Sequence, residues 1–414
     1  MGRILISILG AGNYNEVVYE YKNEKAAKGK FVVCAIQQLL KPDEVFVVMT
    51  KLARSTNGAA LEALCKYKPI PINDGKDETE IWRIFRSISD VIPDNAELII
   101  DVTHGFRSQP ILLLSIVIYL QIAKGVKVEN ILYGAFEAKG ENDIAPLISL
   151  KPFLDLIEWS FATKSFLETG NARFISKLLT GIQREAHLQK QPYLPKSLTG
   201  IGAALTSITE AFSTVRTPEI ADEILRLRNY MPLVNEEVHH IPHAWPFKNL
   251  IEKIETNYAK IACAKENLFT AEGLKAQAGM IQHYLSTLQY QQAITLAREL
   301  IVTIVCLYHG FDCLTEREKA ETILNEELHK SKNENIDKWD KATNSSEIIF
   351  NGKNILYNNC MPVFKEQWMK LIQFRNDINH AAMKKSYSPA KTLIKNITKE
   401  CRKVNNTLHQ ALSE

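Results

Sequence analysis

The hydrophobic period of this chain changes near residue 155, and that change limits the folds open to it. Before that point, short apolar runs alternate with amphipathic stretches; after it, only helical spacing remains. "RILISIL", "EVFVVMT", "AELIIDVT" and "VENILYGAF" read as strands, with "KPIPIN" as a short extended piece. Between them, "FVVCAIQQLL", "AALEALCKY", "ETEIWRIFRSISDVI" and the apolar stretch 110–123 read as helices. Strand and helix in alternation predict a mostly parallel sheet with helices on both faces. In such sheets the ligand site lies beyond the carboxyl ends of the strands. Residues 156–275 are helical but interrupted by "KQPYLPKSLTG" and "VHHIPHAWPF", and read as a helical linker domain. Residues 276–414 read as long helices: "MIQHYLSTLQYQQAITLARELIVTIVCLYHG" as one helix closed by Gly310, and "PVFKEQWMKLIQFRNDINHAAM" as another with Pro362 near its start. Between these two, "HKSKNENIDKWDKATNSSE" reads as an exposed loop. The fold class expected is α/β plus all-α.

At 414 residues the chain is too long for one compact core, which also points to two or three domains. A net charge of +3 neither demands nor excludes nucleic acid. The seven cysteines never form a CxxC pair, so reduced thiols in the cytoplasm are expected rather than a disulfide framework or zinc ribbon. The N-terminal apolar run is too short for a signal peptide, and 110–123 is shorter than the roughly 20 residues of a membrane span. A cytoplasmic protein with no membrane partner is expected. His239, His240 and His243 lack accompanying cysteines or an acidic cluster and read as a surface loop, so no metal is expected. His283, Tyr284, His309 and Cys313 read as packing residues.

Three loops follow strand ends. "GAGNY" (Gly10 to Tyr14) has the GxG of a dinucleotide fingerprint, but Asn15 stands where the third glycine belongs. Gly10 and Gly12 still permit close approach of backbone N–H groups to a phosphate or base. "DVTHGFR" (Asp101 to Arg107) crowds polar residues just before an apolar helix, where backbone amides favour an anion. On residues alone, this is either a structural turn around a satisfied His104 or a ligand site. The third loop is "TKLARSTNG".

"DVTHG" matches the D-x-T-H-G signature of a family of CRISPR-associated proteins, and "ISILGAGNY" resembles that family's first strand and loop. The resemblance covers roughly residues 1–155. It implies a CRISPR-associated Rossmann fold (CARF) domain that senses cyclic oligoadenylate, with the ring lying across a dimer axis over the strand ends. Gly10, Gly12, Asn13, Tyr14, Thr50, Asp101, Thr103, His104, Gly105 and Arg107 become candidate ligand contacts. Cyclic tetra-adenylate is the first expectation for the activator. In relatives an all-helical HEPN domain follows, marked by R-x-x-x-x-H, and "RNDINH" fits with Arg375, Asn376 and His380. "QAITLARELIV" resembles that domain's long first helix. The resemblance thus implies a homodimeric, metal-independent endonuclease acting on single-stranded RNA, with 156–275 between sensor (1–155) and nuclease (276–414).

The chemistry fits those residues. RNA carries its own nucleophile, the 2′-hydroxyl, and needs a proton acceptor, a proton donor and positive charge on the phosphate. Imidazole has an ordinary pKa of about 6.5, suited to proton transfer, and guanidinium stays charged and grips phosphate oxygens. On an ideal helix, residues five apart lie about 140° apart, so one helix presents Arg375 and His380 poorly to one phosphate, and two facing copies would form the site. Asn376, four before His380, shares its face and would orient the imidazole. Lys365, Lys370, Lys384 and Lys385 either steer RNA or form a solvated face. Two rival readings stand beside this one: a nucleotide-sensing regulator without catalysis, and a sensor lobe that itself cleaves the cyclic ligand.

Overall fold

A computed structural model describes residues 2–105, 108–140, 142–330, 353–383 and 385–413. Arg107, Lys384 and most of the expected exposed loop "HKSKNENIDKWDKATNSSE" lie outside the described residues. The chain forms two compact units, Met1–Ile157 and Glu158–Glu414.

Among the described residues the first unit is built on eight strands: β1 (Arg3–Leu9), β2 (Val18–Tyr21), β3 (Glu24–Lys25), β4 (Glu44–Thr50), β5 (Lys68–Ile72), β6 (Glu97–Asp101), β7 (Lys127–Gly134) and β8 (Ile144–Ser149). Their order in the sheet is β3-β2-β8-β7-β6-β1-β4-β5. The five strands β7-β6-β1-β4-β5 run parallel. β8 pairs antiparallel with β7 and parallel with β2, and β3 closes a hairpin on β2. Period-two alternation sends the side chains of β1 to both faces. Ile4, Ile6 and Ile8 pack with Ile84 and Ile88 of helix Glu78–Val91 and with Leu113 and Ile116 of helix Ser108–Ala123. Leu5 and Leu9 pack on the opposite face with Val32 and Ile36 of helix Val32–Leu40. Each such fully buried aliphatic side chain stabilises the sheet by about 1.5–3 kcal/mol. The parallel core therefore follows the sequence expectation. β2, β3 and β8 are additional to it; the β2–β3 hairpin turns on Lys22 and Asn23, both with positive φ (50° and 68°), as a two-residue hairpin of the primed type requires.

The second unit is helical, and one apolar core runs from Trp159 to Ala411. The division expected at residue 275 is not a break in that core. Tyr284 Oη donates to the Phe212 carbonyl at 3.0 Å, and the Phe212 ring packs on His283, so both sides of the expected boundary share one interior. The proline-rich "VHHIPHAWPF" is a tight corner: helix Thr217–His240 passes through the single turn Pro242–Ala244 into helix Trp245–Ala259. The single helix expected before Gly310 is two, Ala271–Ser286 and Tyr290–His309, broken where Leu288 takes a left-handed conformation (φ 61°). Gly310 caps the second at φ 72°, as expected. Tyr290–His309 is long and apolar enough to cross a bilayer, but it supplies much of this core. Helix Lys353–Asn379 holds Pro362 in its interior rather than near its start, and helix Ala390–Ala411 ends the unit.

Candidate functional site

The first candidate site lies at the carboxyl ends of β1 and β6. The chain leaves β1 outward through β4 and β5, then returns to β6 on the other side of β1. Strand order reverses there, and open α/β sheets bind ligands at such a crevice. The loop after β1, Gly10 to Tyr14, meets the loop after β6, Thr103 to Gly105. The Tyr14 ring stacks on His104 with centroids 4.0 Å apart and planes 30° apart, and Phe31 closes edge-on against Tyr14. This packing explains the glycines. A Cβ on Gly10 would lie 2.7 Å from Tyr14 Oη, and one on Gly105 would lie 2.9 Å from both Ile8 Cγ2 and Gln109 Oε1.

Burial pushes the His104 pKa down against the opposing charge of Asp101 and a hydrogen bond to the backbone of Lys30. His104 is therefore a neutral ring, and its Nε2 receives the Val32 N–H at 3.5 Å. Burial pushes the Tyr14 hydroxyl pKa up, opposed by the backbone of Gly12 and Gly10, so it remains a neutral phenol.

Nine of the ten sensor residues expected from sequence divide into two kinds. Asp101 is fully buried and accepts from Ser7 Oγ at 2.6 Å, from Thr103 N at 2.9 Å and from Thr103 Oγ1 at 2.5 Å. Thr103 Oγ1 in turn accepts from the Gly134 N–H at 2.8 Å. Thr50 is 2% exposed and caps the next helical turn by accepting from Ala53 N at 3.2 Å. Asp101 and Thr50 are buried and Thr103 is half-buried, and all three side chains are hydrogen-bonded within the fold and hold the loops. Gly12 and Asn13 are exposed, and Gly10, Tyr14, His104 and Gly105 are half-buried at the rim. Arg107 lies outside the described residues.

Sequence reasoning missed Asn57. Past the carboxyl end of β4 the chain makes a π turn over Arg54–Gly58, a distortion frequent at functional sites. From it, Asn57 Nδ2 donates to the Gly10 carbonyl at 2.9 Å and the Gly12 carbonyl at 3.0 Å. One amide thus pins the first loop to the third.

The second candidate site is the end of helix Lys353–Asn379. Arg375 is half-buried on its last turn, and Asn376 and His380 are exposed. His380 is not a helical residue, as the ideal-helix geometry assumed. It is the cap: Ala381 N–H bonds the Ile378 carbonyl at 2.9 Å and Ala382 N–H bonds the Asp377 carbonyl at 3.2 Å, a Schellman ending. Ala381 and Ala382 both have positive φ (50° and 59°) where glycine is usual. Asn376 and His380 are joined through the backbone, the His380 N–H donating to the Asn376 carbonyl at 3.0 Å. Asp377 is buried, and its Oδ2 accepts from Ser388 N at 3.2 Å, tying down the loop that carries His380.

A second feature missed in sequence braces this helix. The Arg298 guanidinium lies over the Trp368 ring at 4.8 Å and pairs with Glu321 at 2.7 Å, while Trp368 Nε1 donates to Asn325 at 3.0 Å. Arg317 clamps Glu299 from the neighbouring helix at 2.8 Å. Among the described residues no three His, Cys, Asp or Glu side chains gather as metal ligands. His240 stacks on Tyr193 instead, and His243 gives its carbonyl to Trp159.

A scan of protein-family models finds no match to this chain. The chain is similar to CRISPR-associated protein MJ1674 of Methanocaldococcus jannaschii, 26% identical over 301 residues. The alignment covers 57% of this chain and 45% of that protein, so the chain spans less than half the length of the curated relative it matches. Similarity to a CRISPR-associated protein is what the comparisons establish.

Proposed function

We propose that this protein is a cyclic-oligoadenylate-activated, metal-independent endonuclease for single-stranded RNA in type III CRISPR defence, working as a homodimer. The observation that carries the reading is the meeting of the D-x-T-H-G loop and the Gly10–Tyr14 loop at the strand-order reversal, with Tyr14 stacked on a neutral His104. Similarity to a CRISPR-associated protein supports the context. An exposed histidine at the cap of helix Lys353–Asn379, five residues after a half-buried arginine on its last turn, supports the chemistry.

In this reading Gly12, Asn13, Tyr14, His104 and Gly105 face the ring-shaped nucleotide, cyclic tetra-adenylate first among the candidates, while Asp101, Thr103 and Thr50 hold the loops. Two copies of the sensor loops enclose the ligand. Two copies of the Arg375–His380 turn form the RNA cleft. The 2′-hydroxyl gives up its proton and attacks phosphorus, and the bond from phosphorus to the 5′-oxygen breaks. Imidazole from His380 takes or returns the proton, and Arg375 balances the phosphate charge. The products are a 2′,3′-cyclic phosphate and a 5′-hydroxyl. Asn376 lines the same turn.

The test is incubation of the full chain with end-labelled RNA and each cyclic oligoadenylate in the presence of chelator. Cleavage that appears only with ligand and leaves 5′-hydroxyl ends is expected. Ligand-independent cleavage, or none with any ring size, would reject the reading.

A further inference from the structure

The C-terminal helix Ala390–Ala411 has two unlike faces. Ile397, Cys401, Val404, Leu408 and Ala411 are buried in the helical core. On the outer side Lys391, Lys395, Lys399 and Arg402 are all exposed. Their spacing of four, four and three residues holds the four cations within about 80° of arc and about 17 Å of helix length. The same face continues into Asn406 and His409, both exposed. Among the described residues none of the four cations has an ion-pair partner. The helix's only acidic residue within these bounds, Glu400, is buried and turned towards Lys370 and Lys403, each 3.7 Å away.

A row of cations without counter-charge repels itself and is costly unless something anionic meets it. We propose that this face is a binding track for the phosphate backbone of single-stranded RNA. The naming of the polymer rests on the RNA reading of the Arg375–His380 turn; the polyanion chemistry does not. Three features select a strand in solution over other anionic partners. The cations follow one another about 4.5–6 Å apart along the helix axis, of the order of the distance between neighbouring phosphates in an extended strand. The apolar face that a membrane-surface helix would insert is already buried in the protein core. The helix also begins at the end of the loop that carries His380, so a strand on the track runs towards or away from that turn.

The experiment is a salt titration of binding with full-length protein and a 2′-O-methylated RNA, which lacks the nucleophile and stays uncut. Parent and a variant with Lys391→Gln, Lys395→Gln, Lys399→Gln and Arg402→Gln are compared. Each phosphate contact on a single strand contributes about 0.7 to the slope of log affinity against log salt. The variant should therefore lose about 2.8 from that slope. Between about 50 and 200 mM salt, the parent should lose about fifty-fold more affinity than the variant. Slopes equal within error overturn the proposal, as does loss of binding to anionic phospholipid vesicles with the RNA slope unchanged. The catalytic reading is judged separately by cleavage of unmodified RNA. A lowered slope in a protein that cuts no RNA keeps the track and rejects the nuclease; ligand-activated cleavage with an unchanged slope does the reverse.

Discussion

Replacing Asp101 with alanine separates two roles that the D-x-T-H-G loop could give its first residue. A ligand contact would leave the apo protein as stable as before. The geometry demands the opposite. The buried carboxylate accepts three hydrogen bonds, from Ser7 Oγ, Thr103 N and Thr103 Oγ1. Hydrogen bonds to a charged group contribute about 1.5–3 kcal/mol each, and truncation leaves buried donors unpaired. The three share one acceptor group and are not additive, so a loss of about 4 kcal/mol is expected. For a unit the size of Met1–Ile157 that lowers its melting temperature by about 8–16 °C. Asp101→Asn is the control. Its carbonyl oxygen still accepts from both Thr103 donors, and the Ser7 hydroxyl can rotate to accept from its NH2, so about 1 kcal/mol is expected. Calorimetry on the full chain without ligand reads both variants. An Asp101→Ala protein that melts with the parent and loses only ligand affinity would refute the structural role.

Further outcomes follow from the same contacts. Asn57→Ala removes both bonds that hold the Gly10–Tyr14 loop, and isothermal titration should find cyclic oligoadenylate bound about 5- to 30-fold more weakly; unchanged affinity would mean the clamp is irrelevant to the loop. Burial lowers the His283 pKa to about 4. The unfolded state then binds the extra proton first, so this residue's contribution is intact above about pH 6.5 and falls by up to about 3 kcal/mol as pH drops to about 4. Denaturant unfolding of the helical unit should show that loss, and His283→Gln should flatten the pH dependence; an equally steep profile in the variant would assign the loss elsewhere. Ala381→Gly relieves a left-handed alanine costing roughly 1–2 kcal/mol against a glycine entropy cost of 0.5–1, so thermal unfolding should show a gain of about 0.5–1 kcal/mol. A loss of stability would contradict the cap geometry.

The central strands were legible because each is a buried apolar run bounded by polar residues or glycine. The edge strands were not: "VYEY" on β2 is half-polar and only partly buried, and its two-residue turn, Lys22-Asn23, lacks the usual glycine. The burial of Asp101 was readable in principle. It follows Ile99 by two residues, so it shares the inward face of that side chain, and it pairs in register with Ser7 between Leu5 and Leu9. The break at Leu288 has no such signal, because apolar spacing continues across it and only the backbone angle changes. At the second site the arginine and histidine were visible as a motif. That His380 caps the helix instead of extending it depends on the two left-handed alanines, residues that carry no turn preference of their own. Asn57 was one polar residue among several after a strand; its partners are backbone carbonyls, which no side-chain pattern reveals.

The most direct measurement is ligand-dependent RNA turnover in parent and His380→Ala, both at saturating cyclic oligoadenylate with chelator present. Loss of one acid–base group should lower the rate about 10²–10⁴-fold. Ligand affinity and melting temperature should stay at parental values, since the His380 side chain is exposed. A His380→Ala protein that cleaves RNA at the parental rate would contradict the account, whatever the sensor binds.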